Sequence, residues 1–146
     1  MVQKCYSGDL ELDRIKENFT ESIQTKIAAA EALPNDIQTA AQMLTICLLN
    51  GNKILACGNG PAAALSQLFV SQLVHRFETE RPSLPALALS ADSCLLSGVA
   101  AENGFADVYA KQIRALGQQG DIMLVLAGNG REKALLKAAE AALSRD

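Results

Sequence analysis

One short pattern occurs twice in this chain, and it limits the fold more than any other feature. Lys53-Ile54-Leu55-Ala56-Cys57 is a short apolar run that enters Gly58-Asn59-Gly60 and then Pro61, a residue suited to a helix start. Asp121 leads into Ile122-Met123-Leu124-Val125-Leu126-Ala127, which enters Gly128-Asn129-Gly130 and a helical stretch to about Ser144. A further run, the Ala-rich Leu84 to Leu89, follows a linker marked by Pro82 and Pro85. Short apolar strands separated by long helical crossovers predict a parallel sheet with helices on both faces. The fold class is therefore α/β, with a three-layer αβα arrangement.

Helical periodicity dominates elsewhere. Ile15, Phe19, Ile23 and Ile27 recur every four residues among Asp13, Lys16, Glu17, Glu21 and Gln24, one apolar stripe on a helix that starts near Leu12 and ends at Pro34. Asn35 offers an N-cap with Asp36 in the first turn, and Ile37, Ala40, Ala41, Leu44, Cys47 and Leu48 make a second apolar face that stops at Gly51. Leu65, Leu68, Phe69, Leu73 and Phe77 predict the buried face of a helix begun at Pro61. Ser90 to Asn103 and Phe105 to Leu116 predict two more. The residues before Leu12 lack periodicity. The chain thus divides into a flexible tail over 1–11, a helical pair over 12–50 and an α/β unit over 51–146. The leading helices are expected to pack outside the sheet or against a second subunit.

Composition removes several function classes. Hydrophobic residues are 49% and charged residues 20%, a globular balance. A net charge of −3 disfavours a phosphate-tracking surface, and 4% aromatics with no Trp disfavour base stacking, so no direct DNA binding is expected. No apolar run approaches the roughly 18 residues of a membrane span. The N-terminus shows no apolar signal core, so a cytoplasmic location is expected. Cys5, Cys47, Cys57 and Cys94 form no C-x-x-C pair; Cys47, Cys57 and Cys94 read as buried reduced thiols, and no metal site is assigned.

The two glycine loops are the candidate ligand site. A strand–glycine turn–helix unit aims backbone N–H groups and a helix dipole at one point, which suits an anion. In a sheet of order 2-1-3 the two loops flank the switch point where ligands bind in such folds. Gly58, Asn59, Gly60, Gly128, Asn129, Gly130 and Arg131 are the candidates, with Asp92 as a cleft acid. Glycine turns before helices also occur throughout α/β folds as ordinary turns. The neighbours weaken anion binding: Pro61 has no N–H, and Glu132 sets a negative charge where an anion would sit, a repulsion on the order of 1 kcal/mol. Asp92 and Asp107 both read as cleft acids, and each also reads as a helix cap or a member of a surface salt bridge. His75 has no serine or cysteine at an interpretable spacing. No catalytic residue and no cofactor are assigned.

Four stretches carry a resemblance: Phe19–Pro34 (FTESIQTKIAAAEALP), Leu48–Leu55 (LLNGNKIL), Arg76–Leu89 (RFETERPSLPALAL) and Val108–Asp121 (VYAKQIRALGQQGD). They resemble the sugar isomerase (SIS) domain family from about Leu12 to the end. The resemblance implies a flavodoxin-like fold preceded by a helical pair, and a homotetramer. It also implies that the family's C-terminal strands are absent here.

Two functions occur in that family. The nearer resemblance implies a non-catalytic regulator that binds the DnaA initiator and promotes its assembly at the replication origin, with Gln67, Ser71 and His75 as candidate interaction residues. The more distant one implies a phosphoheptose isomerase acting on sedoheptulose 7-phosphate, or a phosphosugar-binding protein without turnover. Against the isomerase pattern, Pro61 and Ala62 stand where that enzyme has glycine and serine, and Gln72 where it has a proton-transferring glutamate. Ala127 to Glu132 replaces its hydroxyl-rich phosphate loop. Its metal ligands and catalytic histidine come from a C-terminal segment not found here. Asn59 and Asp92 match.

Overall fold

A computed structural model describes residues 8–145. The chain forms two compact units, Met1–Gln42 and Met43–Asp146. The first holds α1 (Gly8–Ala32) and the start of α2 (Pro34–Leu49). Helix α1 starts at Gly8, so Gly8–Glu11 is helical and not part of a flexible tail. Leu10 and Glu11 are good helix formers, and extending an existing helix costs far less than nucleating one. The rest of that expected tail lies outside the described residues.

Pro34 closes α1 by opening α2, in whose first turn its missing N–H costs nothing. Asn35 therefore lies inside α2 and is not its N-cap; its carbonyl accepts a bond from Thr39 Oγ1 at 2.9 Å. The expected stripe on α1 is present but uncovered. Ile15, Phe19, Ile23 and Ile27 are all about half exposed or more, Phe19 reaching 68%.

The second unit is built on three parallel strands, β1 (Ile54–Gly58), β2 (Ala86–Ala88) and β3 (Ile122–Leu126), in the order β2-β1-β3. That is the order the sequence predicts. Ile54 pairs with Ala86 on one side and Ile122 on the other, and Gly58 faces Leu126 at the far end. The crossovers are α3 (Pro61–Val74), α4 (Ser93–Asn103) with a 3₁₀ turn Phe105–Asp107 and α5 (Val108–Leu116), and α6 (Lys133–Leu143) follows β3. The last part of α2 also belongs to this unit, where Cys47 is buried and its thiol donates to the Lys53 carbonyl at 3.4 Å.

Strand β1 is central and buried along its whole length. Alternation sends Leu55 and Cys57 to one face, into a core with Leu89, Val108, Tyr109, Ile113, Leu135 and Ala138. Each large side chain so buried stabilises the fold by roughly 1.5–3 kcal/mol. Ala134, Ala138 and Ala141 bring α6 close to α5 because they add so little bulk. Helix α3 packs on β1, β2 and β3, with Gly58 against the Ala62 backbone.

Two sequence expectations fail for α3. It ends at Val74, so Phe77 lies beyond it and is 56% exposed. Leu65 and Leu68 are also exposed; Phe69 and Leu73 are half-buried, and Ser66 is the buried residue of the helix. The helix is apolar nearly all round, so periodicity could not select the face, and small residues meet the sheet. Arg81 fixes the end of the helix: its guanidinium donates to the Leu73 carbonyl at 2.9 Å and the Gln72 carbonyl at 2.5 Å. Cys94 is likewise exposed, against expectation, because α4 presents it in its first turn and buries no residue completely.

At the opposite end of the sheet from Gly58, Lys53 and Asp121 join the starts of β1 and β3 through an ion pair at 2.6 Å. The Asp121 carboxylate also accepts the Lys53 N–H at 2.9 Å and the Gln118 N–H at 2.8 Å. Burial works to raise its pKa; the hydrogen bonds from Lys53 and Gln118 outweigh that and hold it below the usual carboxylate value.

Candidate functional site

Because β1 and β3 are hydrogen-bonded neighbours running the same way, their C-terminal loops emerge side by side. The first is Gly58-Asn59-Gly60 before α3; the second is Gly128-Asn129-Gly130-Arg131 before α6. Gly58 has no room for a side chain: a Cβ there would meet the Ala62 carbonyl oxygen at 2.6 Å and that of Leu126 at 2.9 Å. This is the close strand–helix approach that makes the turn tight. Gly60 takes a φ of +54°, a backbone state that disfavours any side chain. The second loop is stiffened by Asn129, whose Oδ1 accepts the Arg131 N–H at 3.0 Å.

The two loops are joined. Asn59 Nδ2 donates to Glu132 Oε2 at 2.6 Å. Tyr109, in α5, lies beneath this bond with its hydroxyl donating to the Gly58 carbonyl at 2.7 Å and 3.1 Å from Asn59 Oδ1. The phenol is buried, and burial first, then the neighbouring Cys57 and Glu132 as anions, pushes its pKa up to about 12. Burial also pushes the Cys57 thiol up to about 11, which keeps it protonated and unreactive at neutral pH. Phe105 braces the Tyr109 ring edge-on, with centroids 6.4 Å apart.

Gly58, Asn59, Gly60, Gly128, Asn129, Gly130 and Arg131 are thus grouped at one end of the sheet. Asp92 instead caps α4, accepting the Leu95 N–H at 2.8 Å. Asp107 pairs with Lys137 of α6 at 2.9 Å. Reasoning from sequence missed Tyr109, although a buried phenol needs a partner for its O–H, and the end of a neighbouring strand supplies one. It also missed that Glu132 reaches across to the other loop.

Gln67, Ser71 and His75 fall at helical spacing on an exposed side of α3, with His75 at its C-terminal cap. Gln67 donates to the Ser90 carbonyl at 3.2 Å, and the Ser71 hydroxyl bonds back to the Leu68 carbonyl at 2.8 Å. They form a polar surface row, with no nucleophile and base in contact. Among the described residues, no group of three or more His, Cys, Asp or Glu side chains could hold a metal ion, and no helix is long and apolar enough to cross a membrane.

Comparison with known proteins places this geometry. The DnaA initiator-associating protein DiaA of Photorhabdus laumondii subsp. laumondii is 56% identical over 135 residues, which are 92% of this chain and 69% of that protein. DiaA of Yersinia enterocolitica is 57% identical over the same shares of the two chains. Among solved structures, a phosphoheptose isomerase from Francisella tularensis superposes with a TM-score of 0.90 at 44% identity, covering 92% of this chain and 71% of that one. The model of the SIS domain matches residues 18–146. With its parallel β2-β1-β3 sheet, its paired loops and this match over most of its length, the chain belongs to the SIS domain family.

Proposed function

We propose that this chain is a non-catalytic regulator that binds the DnaA initiator and promotes its assembly at the replication origin. The observation that carries this reading is the identity of 56–57% to DiaA proteins over 92% of the chain. The site chemistry supports it. Glu132 and Asn59 are bonded to each other across the cleft, the second loop has no hydroxyl from Ala127 to Glu132, and Gln72 offers no carboxylate base.

In this reading the protein works in the cytoplasm as a homo-oligomer, a tetramer by family resemblance. The apolar residues of α1 and α2 support self-association: Phe19, Ile23, Ile37 and Ile46 are all more than half exposed. Several copies of one weak initiator site on a single assembly raise the effective concentration without any new contact. The polar row Gln67, Ser71 and His75 is the proposed initiator-facing surface. DNA and membranes are not its partners.

The test is surface binding of purified DnaA to the folded protein. Saturable binding at micromolar concentration is expected, and its loss in Gln67→Ala/Ser71→Ala/His75→Ala would assign the surface. A folded sample that captures no initiator removes the reading.

The likeness to the Francisella tularensis structure favours a second reading, a phosphoheptose isomerase or a phosphosugar binder without turnover. The ligand would then sit against Gly58, Asn59, Gly60, Gly128, Asn129, Gly130 and Arg131, with Asp92 committed to capping α4. Chromatographic detection of sedoheptulose 7-phosphate conversion would establish the enzyme. A rise in Tm with millimolar phosphosugar and no conversion would establish the binder.

A further inference from the structure

We infer that Glu132 is a built-in occupant of the cleft: its carboxylate ties the two glycine loops together and keeps external phosphate groups out. Two observations converge on this residue. Glu132 stands immediately before α6 in an extended backbone state, φ −78° and ψ 113°, the position from which a short Ser, Thr, Asp or Asn side chain would accept an N–H of the first turn. It makes no such bond; its side chain crosses instead to Asn59 on the other loop, at 2.6 Å.

Asn59 is held for that contact. The single Tyr109 hydroxyl proton is shared between the Gly58 carbonyl at 2.7 Å and Asn59 Oδ1 at 3.1 Å, which leaves the Asn59 NH₂ group as the end presented to Glu132. On its own loop the carboxylate lies beside Gly128, where a Cβ would stand 4.0 Å from Glu132 Oε1, an ordinary van der Waals contact. The cleft therefore holds an anion already, one supplied by the chain and attached to it.

Two consequences follow for any phosphate entering from solvent. It must break the Asn59–Glu132 bond, and it must then share the mouth of α6 with a tethered negative charge. The same contact couples the loops, since movement of the Gly128–Arg131 segment pulls on Asn59 and through it on the start of α3.

The inference rests on the cleft geometry and is independent of initiator binding, which the same samples report separately. Inorganic phosphate and glucose 6-phosphate would be titrated calorimetrically into the full chain, Glu132→Ser and Glu132→Gln. Circular dichroism would verify that each is folded. Glu132→Gln is nearly isosteric and keeps an acceptor for Asn59 while removing the charge. Both variants are expected to bind phosphate saturably at millimolar concentration, Glu132→Ser at least about tenfold more tightly than the parent chain. Parent binding as tight as that of Glu132→Ser would overturn the inference, and so would an absence of binding by both variants.

Discussion

Asp121 holds Lys53 twice, by its ammonium at 2.6 Å and by its backbone N–H at 2.9 Å, and so registers β3 against β1 at the end of the sheet opposite the glycine loops. The carboxylate is nearly buried, with 6% of its side chain exposed. Its pKa is lowered in the fold, so the folded state favours the charged form more than the unfolded chain does. The stabilisation is complete above the unfolded value near 3.9 and disappears as pH falls through the lower folded value. Asp121→Asn is expected to lower stability at pH 7 by about 2 kcal/mol, since three donors, the Lys53 ammonium, the Lys53 N–H and the Gln118 N–H, lose a charged acceptor. Urea titrations at successive pH values check both points. The gap between parent and variant should be constant above about pH 5 and should narrow below about pH 4. A gap that does not change with pH would show that the ion pair contributes nothing.

Tyr109 ties α5 to the end of β1 through its hydroxyl, while its ring packs against Phe105. Tyr109→Phe removes the first tie and keeps the second. A loss of about 1–2 kcal/mol is expected, because the Gly58 carbonyl is left without that donor. The raised pKa, about 12, favours the neutral phenol in the fold. The corresponding stability is intact below the unfolded value near 10 and is lost as pH rises through the folded value. The chain has two tyrosines, Tyr6 and Tyr109. Absorbance titration should therefore show a late ionising step that Tyr109→Phe abolishes.

How far these features could be read in advance depends on their range along the chain. The parallel sheet and its order were legible in the two apolar runs ending in Gly-Asn-Gly, because strand, turn and helix start are encoded locally. The start of α1 was not, since Gly8–Glu11 has no apolar period and joins the helix by extension. The face of α3 was not, since Leu65 and Phe69 look alike in a pattern of apolar residues, and only tertiary packing exposes the first more than the second. Asp92 illustrates a shared vocabulary: the residue suited to a cleft is also suited to an N-cap, and here it caps α4. The cross-cleft bond from Asn59 to Glu132 spans 73 residues, and no local pattern announces such a pair.

The apolar stripe of α1 gives a test of self-association. Phe19 is 68% exposed and Ile23 53%, with Ile15 and Ile27 continuing the same row. Exposed rows of this kind mark interaction surfaces. Phe19→Glu/Ile23→Glu adds two charges to a helix whose own hydrogen bonds remain intact. A smaller mass by light scattering, with helix content retained by circular dichroism, is the expected result. An unchanged mass would remove α1 from the proposed subunit contact.

The first glycine loop separates two reasons for using glycine. At Gly58 the obstacle is space, because a Cβ would stand 2.6 Å from the Ala62 carbonyl oxygen and 2.9 Å from that of Leu126. Those are backbone atoms of a helix and a neighbouring strand, so neither can step aside without shifting its whole element. At Gly60 nothing lies within 4 Å, and the obstacle is the backbone state itself, φ +54°. Gly58→Ala is expected to cost about 3 kcal/mol, near the upper end for forcing an extra methyl into a packed site. Gly60→Ala is expected to cost about 1–2 kcal/mol, the strain of a positive φ at a residue with a Cβ. Denaturation midpoints of the two variants rank the effects. Equal losses, or a larger loss at Gly60, would show that the helix can move away from β1 and that the tight turn is not set by close packing.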